Sequence, residues 1–231
     1  LLPPGCSFGL NVKKDGTEDS ITIMGAVNAL TKNLAGDTCV VIRDSLTYSE
    51  RVTVQSFTNN GFTLKIMSDP SLVTSAVINP PMSSFAAFEI RNSSVSILQL
   101  TVISTNGVSY GVSASSSYIT LSSVSVQDTS GLIALAGVHL SSWGAVSYSS
   151  ISVQNAHGYL ITGGDNVVSY SSAQVSAAAK YALYINGASS NTFAVFLASN
   201  PIGHAARLNA ASNNTIARST MVASGLSNIA L

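Results

Sequence analysis

The sequence predicts an all-β fold, a single-stranded right-handed parallel β-helix: a solenoid of about seven or eight coils. Three observations lead there. First, a phrase comes back: residues 145–153 read AVSYSSISV and residues 167–175 read VVSYSSAQV. Second, the phrase belongs to a series with starts at Val95, Ile119, Val146, Val168, Phe193 and Ile216, spaced 24, 27, 22, 25 and 23 residues apart. Third, apolar and polar residues alternate inside each repeat, and no repeat holds a helical stretch. A period of this size marks a solenoid, and alternation marks strands with one buried face.

A second series falls between the copies of the first: YGVSASSS, AGVHLSSW, GYLITGGD, YALYINGASSN and AARLNAASNN. Its last two members continue as N-G-A-S-S-N-T-F and N-A-A-S-N-N-T-I, 23 residues apart. β-Branched and aromatic residues fill the strands, while Ser, Gly and Asn turn the chain between them. One coil cannot bury its own apolar face; stacked coils bury a continuous core and pair their backbones. Serine is abundant, at 40 residues, but the apolar share of 46% is too high and too regularly placed for a disordered tract.

The front end differs, and the sequence divides into a cap over 1–38 and a β-helix over 39–231. Residues 7–19 hold a short alternating strand. SITIMGAVNALTKNL (20–34) places Ile21, Met24, Val27, Leu30 and Leu34 on one helical face, with Ser20 or Thr22 as N-cap. Such a helix shields the open end of a solenoid. Cys6 and Cys39 either form a disulfide, which implies an oxidising compartment, or are two buried thiols. The last coil shows no corresponding cap and ends at NIAL. The expectation is a chain that continues, or an end that stacks on further β-helix coils or on another copy. LLPPGC carries neither Met nor a basic leader region, which suggests a mature or excised piece.

Composition narrows the function classes. Charged residues are 9% and formal net charge is zero, so nothing attracts nucleic acid. No apolar run approaches the ~18 residues of a spanning helix. An extracellular or cell-surface location is expected.

GTEDSITIMGAVNAL followed by VVIRDSLTYSERVTV resembles the N-terminal cap and first coil of the pectin methylesterase and pectate-lyase-like superfamily. There a T-I-x-x-A-V helix precedes a strand and a Gly-x-Tyr-x-Glu turn. Tyr48 and Glu50 keep its last two residues, and Ser45 or Leu46 stands near the glycine. The resemblance covers roughly residues 8–54; beyond them only the coil repeat is similar, as in β-helix regions of large secreted or surface bacterial proteins. V-Q-D-T (126–129) is similar to the Q-D-T segment of pectin methylesterases. Carried over, Gln127 stabilises an oxyanion and Asp128 acts as acid/base. The family's Asp-Phe-Ile-Phe-Gly motif and its downstream Arg have no counterpart.

After position 91 the acidic residues are Asp128 and Asp165 alone. A calcium-dependent lyase or a glycosidase needs clustered carboxylates. His139, His157 and His204 are spaced 18 and 47 apart and are not expected to stack on one row, so no metal site and no cofactor are predicted. The outward positions of the first series are Ser96, Thr120, Ser147, Ser169, Ala194 and Ala217. Those of the second are Ser113, His139, Leu160, Tyr184 and Arg207, and His139, Tyr184 and Arg207 are the candidate binding residues. The leading reading is a non-catalytic structural β-helix module, a stalk, wall or assembly unit with some polysaccharide or receptor contact. The alternatives are a carbohydrate-active enzyme of pectin-esterase or lyase type and a glycan-binding module. Within the recurring phrase, Val146, Tyr148, Val168 and Tyr170 are expected to point inward and Ser147 and Ser169 outward. Ser149-Ser150 and Ser171-Ser172 are expected to make the same corner one coil apart.

Overall fold

The computed structural model describes residues 2–115 and 117–224. They form a parallel β-solenoid of about eight turns, with strands numbered β1–β22 in chain order and one helix. Each turn has three faces. The first face stacks β2 (Thr38–Ile42), β5 (Leu64–Ser68), β8 (Ser94–Leu98), β11 (Tyr118–Ser122) and β14 (Gly144–Ser147). The second stacks β3 (Thr47–Tyr48), β6 (Val77–Ile78), β9 (Thr101–Ile103), β12 (Ser125–Asp128) and β15 (Ser150–Val153). β17 (Val167–Val175) and β19 (Thr192–Asn200) run round the corner between these faces and join them into one sheet. β21 (Thr215–Ala217) and β22 (Thr220–Ala223) complete it. The third face is a separate seven-stranded sheet: β4 (Val52–Gln55), β7 (Ala86–Arg91), β10 (Val108–Ser115), β13 (Ile133–Leu140), β16 (His157–Ile161), β18 (Tyr181–Asn186) and β20 (His204–Asn209). Every strand pair is parallel, so backbone groups bond to the coil above and below.

The core is a column of like positions. Ile66, Ile97, Leu121, Val146, Val168 and Phe193 pair in turn along the first face, and none is more than 2% exposed. Ile97 and Leu121, not Val95 and Ile119, are thus the partners of Val146: the first-series alignment is two residues out at its lower end. The outward row therefore splits in two. Ser96 and Thr120 continue to Ala145 and Val167, while Ser147, Ser169, Ala194 and Ala217 descend to Ser122 and Leu98.

Two corners repeat with a left-handed residue followed by an inward one. Between the first and second faces the left-handed residues are Gln99, Ser123, Tyr148, Tyr170, Val195 and Arg218, with φ between 47° and 55°. Tyr148 and Tyr170 therefore do not point inward. They are 64% and 57% exposed, because the bend resets the alternation and swings each ring out of the core. Val146 and Val168 are buried as expected, and Ser147 and Ser169 are half-buried. The serine pairs do make one corner, but their two members differ. Ser149 and Ser171 are buried; each hydroxyl donates to the carbonyl two residues back, at 2.9 and 2.7 Å. Ser149 Oγ accepts from Val124 N, and Ser171 Oγ from Ser149 N, both at 3.1 Å. Ser150 and Ser172 pair on the outer side of the second face.

The corner between the third and first faces carries an asparagine ladder. Asn166 Oδ1 accepts from Gly144 N at 2.7 Å, Asn191 Oδ1 from Asn166 N at 2.9 Å, and Asn214 Oδ1 from Asn191 N at 2.9 Å. Asn166 and Asn191 are fully buried, so these amides satisfy backbone groups that the turn removes from the sheets.

The cap comprises β1 (Phe8–Val12), paired with β2, and α1 (Ile23–Ala29). The helix is shorter than its pattern predicts. Thr22 is the N-cap and accepts from Gly25 N at 3.0 Å, and Leu30 is already extended. Residues beyond it bond to the first coil instead, with Leu34 N donating to Thr58 O. The buried face is Ile23, Ala26 and Val27, while Ile21 is 58% exposed. Glu50 accepts from the amides of Ile23 and Met24, both at 2.8 Å, and so ties the helix start to the first coil. Burial raises the Glu50 carboxyl above its usual range, against the pull of those amides. Tyr48, 1% exposed, donates to Asp44 at 2.9 Å. The Tyr-x-Glu pair is thus a structural clasp. Cys6 and Cys39 are joined, with Cα atoms 5.7 Å apart, which fastens the first residues to β2. The expected open C-terminal end involves residues 225–231 and lies outside the described residues.

Candidate functional site

The outer side of the third face carries several aromatic rings and an arginine. One row runs Thr53, Glu89, Ser113, His139, Leu160, Tyr184, Arg207, each the direct partner of the next. The expected outward positions of the second series therefore do share one row, and Thr53 and Glu89 extend it downward. A second row lies three residues earlier in each strand: Ala86, Tyr110, Ala136, His157, Tyr181, His204. Between the rows Gly111, Gly137, Gly158 and Ala182 face inward. A Cβ on Gly158 meets Ala182 O at 2.4 Å, so the strands approach each other too closely there for a side chain.

The rows hold two clusters. In the lower one, Ser113 Oγ and His139 Nδ1 are 3.1 Å apart, and His139 Nε2 and Thr162 Oγ1 are 2.9 Å apart. The Tyr110 ring stacks on His139 at 5.1 Å. Glu89, 4% exposed, is ion-paired with Arg91. Burial lowers the His139 imidazole below its ordinary value. In the upper cluster His157 and Tyr181 stack at 5.3 Å with their planes 1° apart, and Tyr184 leans on both at 5.0 and 5.3 Å. Arg207 Nη1 donates to the Tyr181 hydroxyl at 2.8 Å. Its guanidinium lies 5.5 and 5.7 Å from the centres of the Tyr181 and Tyr184 rings. Tyr181 N donates to His157 Nδ1 at 3.1 Å, which leaves the neutral ring's proton on Nε2. Burial, helped by Lys180 and Arg207, lowers His157 to about 4, so the ring is neutral at pH 7.

Strands one coil apart are ~4.8 Å apart, and rings stacked at that pitch cover one another's faces. What meets solvent is a line of ring edges, phenolic hydroxyls and imidazole N–H, ending in the exposed guanidinium of Arg207. Such a surface donates hydrogen bonds and attracts a carboxylate.

Of the sequence-predicted residues, Tyr184 and Arg207 come together. His139 lies two coils below Tyr184, with Leu160 between. Contrary to expectation, His157 and His204 do share a row, through Tyr181, because their spacing of 47 is two coils. They precede the alternating run, and the signal that finds them is the aromatic three residues before the outward one, as in His157–Leu160, Tyr181–Tyr184 and His204–Arg207. Gln127 and Asp128 alternate on β12 and point to opposite sides. Gln127 is exposed and donates to Ser125 Oγ at 3.1 Å. Asp128 is 1% exposed, and its two oxygens accept from Leu132 N at 2.8 Å and Ile133 N at 3.0 Å. Among the described residues no three His, Cys, Asp or Glu gather as a metal site, and no helix is long and apolar enough to cross a membrane.

No family model and no curated protein matches the chain. Among solved structures it is similar to a crystal structure of a pectin methylesterase variant in complex with a hexasaccharide. The identity is 16%, the match covers 84% of this chain and 69% of that one, and the TM-score is 0.45. By strand topology the chain is a parallel β-helix. At this identity the likeness concerns the fold alone.

Proposed function

We propose that the chain is a non-catalytic β-helix module of a secreted or cell-surface protein, and that its third face holds an acidic polysaccharide. The observation that carries the first half is the fate of the carboxylates. Eight of the ten are engaged within the fold: Asp15, Asp19, Asp37, Asp44, Glu50, Asp69, Glu89 and Asp128 bind backbone amides, hydroxyls or arginines. The remaining two, Glu18 in the cap and Asp165 at a corner of the sixth coil, are far apart along the solenoid. Glycoside hydrolysis by the usual two-carboxylate route needs two such groups across one bond, and a calcium-dependent lyase needs several carboxylate oxygens gathered on one ion. The esterase alternative needs Asp128 open to the ester, whereas it is 1% exposed and accepts from the amides of Leu132 and Ile133. The disulfide fits an oxidising compartment.

The acidic ligand is supported by Arg207, a guanidinium held in place by Tyr181 and Tyr184 with no carboxylate of its own. Titration with hexagalacturonate tests this. Arg207→Ala is expected to weaken binding at least tenfold, since charge-assisted hydrogen bonds contribute about 1.5–3 kcal/mol. The wild-type affinity is expected to fall with added salt. Equal affinity in the variant, or no wild-type binding, refutes the assignment.

A further inference from the structure

The edge between the first and second faces bears a different set of side chains. Tyr148 and Tyr170 occupy it on successive coils with φ of 50° and 47°. A left-handed residue with a Cβ costs roughly 1–2 kcal/mol, and Gly or Asn occupies such positions most readily. The rings add nothing to the core. They stack on each other at 5.2 Å and 11°, and the lower face of Tyr148 looks along the edge past Ser123 to Gln99. Local folding therefore does not account for tyrosine at these two places.

Two depressions flank the pair. One, of about 230 Å³, lies below it between Gln99, Ser123 and the loop that carries Leu72 and the fully exposed Val73. The other, of about 460 Å³, lies beside it and is lined by Tyr148, Tyr170, Val195 and the hydroxyl-bearing Ser150 and Ser172. Together they make a line of several coils along the solenoid axis, with one amide, three outward hydroxyls and two aromatic rings, repeating at the ~4.8 Å strand pitch. Asp69, the one charged group lining either depression, is neutralised by Arg43 at 2.6 Å.

We propose that this edge binds a neutral polysaccharide laid along the solenoid axis, with an apolar sugar face on the uncovered lower face of Tyr148, further sugars along the exposed edges of the Tyr148–Tyr170 pair, and its hydroxyls on Gln99, Ser123, Ser150 and Ser172. An exposed ring pair beside uncharged donors and acceptors suits a chain of neutral sugars; the guanidinium of the third face suits an acidic one. The two sites lie on different parts of the coil and do not depend on each other.

The test is titration of the full chain with cellohexaose and xylohexaose, and with hexagalacturonate as the acidic probe. The main variant is Tyr148→Asn/Tyr170→Asn, since Asn suits the left-handed corner and keeps the fold; Gln99→Ala is a second, independent one. Wild type is expected to bind at least one neutral hexasaccharide. The double variant is expected to lose at least tenfold in that affinity at unchanged or higher Tm, Gln99→Ala to lose severalfold, and Arg207→Ala to lose nothing. The proposal is overturned if neither neutral probe binds at millimolar concentration, if the double variant binds as wild type does, or if the tyrosines govern hexagalacturonate alone. Loss of acidic binding in Arg207→Ala with no neutral binding at all sinks this site and leaves the third-face reading standing.

Discussion

Asn191→Ala is expected to destabilise the chain by about 3–5 kcal/mol, far more than the size of the change suggests. Asn191 is fully buried. Its Oδ1 accepts from Asn166 N at 2.9 Å and Asn166 Nδ2 at 2.8 Å, while its Nδ2 donates to Ser189 O at 3.1 Å and Asn214 Oδ1 at 2.9 Å. Alanine strands the buried Asn166 amide and the Ser189 carbonyl, and each buried unpaired group costs about 1–3 kcal/mol. The loss is transmitted, because each amide orients the next coil's amide and a solenoid is held by contacts between neighbouring coils. Urea unfolding monitored by circular dichroism measures it. A change below about 1 kcal/mol means that the ladder is ornamental and the sheets alone hold the corner.

Gly158→Val is expected to be at least as severe, costing about 4 kcal/mol or more, or preventing soluble expression. The backbone here is ordinary; the constraint is space. A Cβ at 158 lies 2.4 Å from Ala182 O and 2.7 Å from Ala173 Cβ, and one of those atoms is backbone of the next coil. Moving it breaks the register that sets His157 against Tyr181, so the ring ladder should fail with the fold. Gly107→Ala is the control. A Cβ there meets nothing within 4 Å, and the change should lie within about 0.5 kcal/mol of wild type or slightly above it. Thermal melts compare the two; equal Tm values contradict the close-packing argument.

Much of the fold is legible in the repeat, and the parts that are not have a common cause. Strand periodicity is two, so a slip of two residues leaves every side chain on its proper side. The misalignment of Val95 and Ile119 with Val146 could not be felt in the alternation. Gly144 also hid it by occupying an inward position with no side chain. Alternation carried through a corner puts Tyr148 and Tyr170 inside, and only backbone dihedrals reveal that a left-handed residue resets the count. The third-face row needed no correction, since each of its strands runs straight through the outward position. The binding candidates were half legible. Tyr184 and Arg207 stood out by chemistry, whereas Tyr181 and His157 act through ring stacking across coils and have no signature within one repeat. Helical spacing continues through Leu30 and Leu34 although the chain has already turned to bond with residue 58. The disulfide, open between two readings in the sequence, is formed.

We propose that the engaged carboxylates of this chain hold the fold and do not act on a substrate. Asp128 is the one on which this turns, since a catalytic reading places it at the reacting bond and the structure places it on the amides of Leu132 and Ile133. The decisive measurement is turnover of methyl-esterified pectin and polygalacturonate by wild type and Asp128→Asn, followed as methanol, unsaturated ends and reducing ends. Wild-type rates no higher than the blank are expected, with Asp128→Asn differing only in a lower Tm. Wild-type turnover that disappears in Asp128→Asn, in protein shown to be still folded, contradicts it.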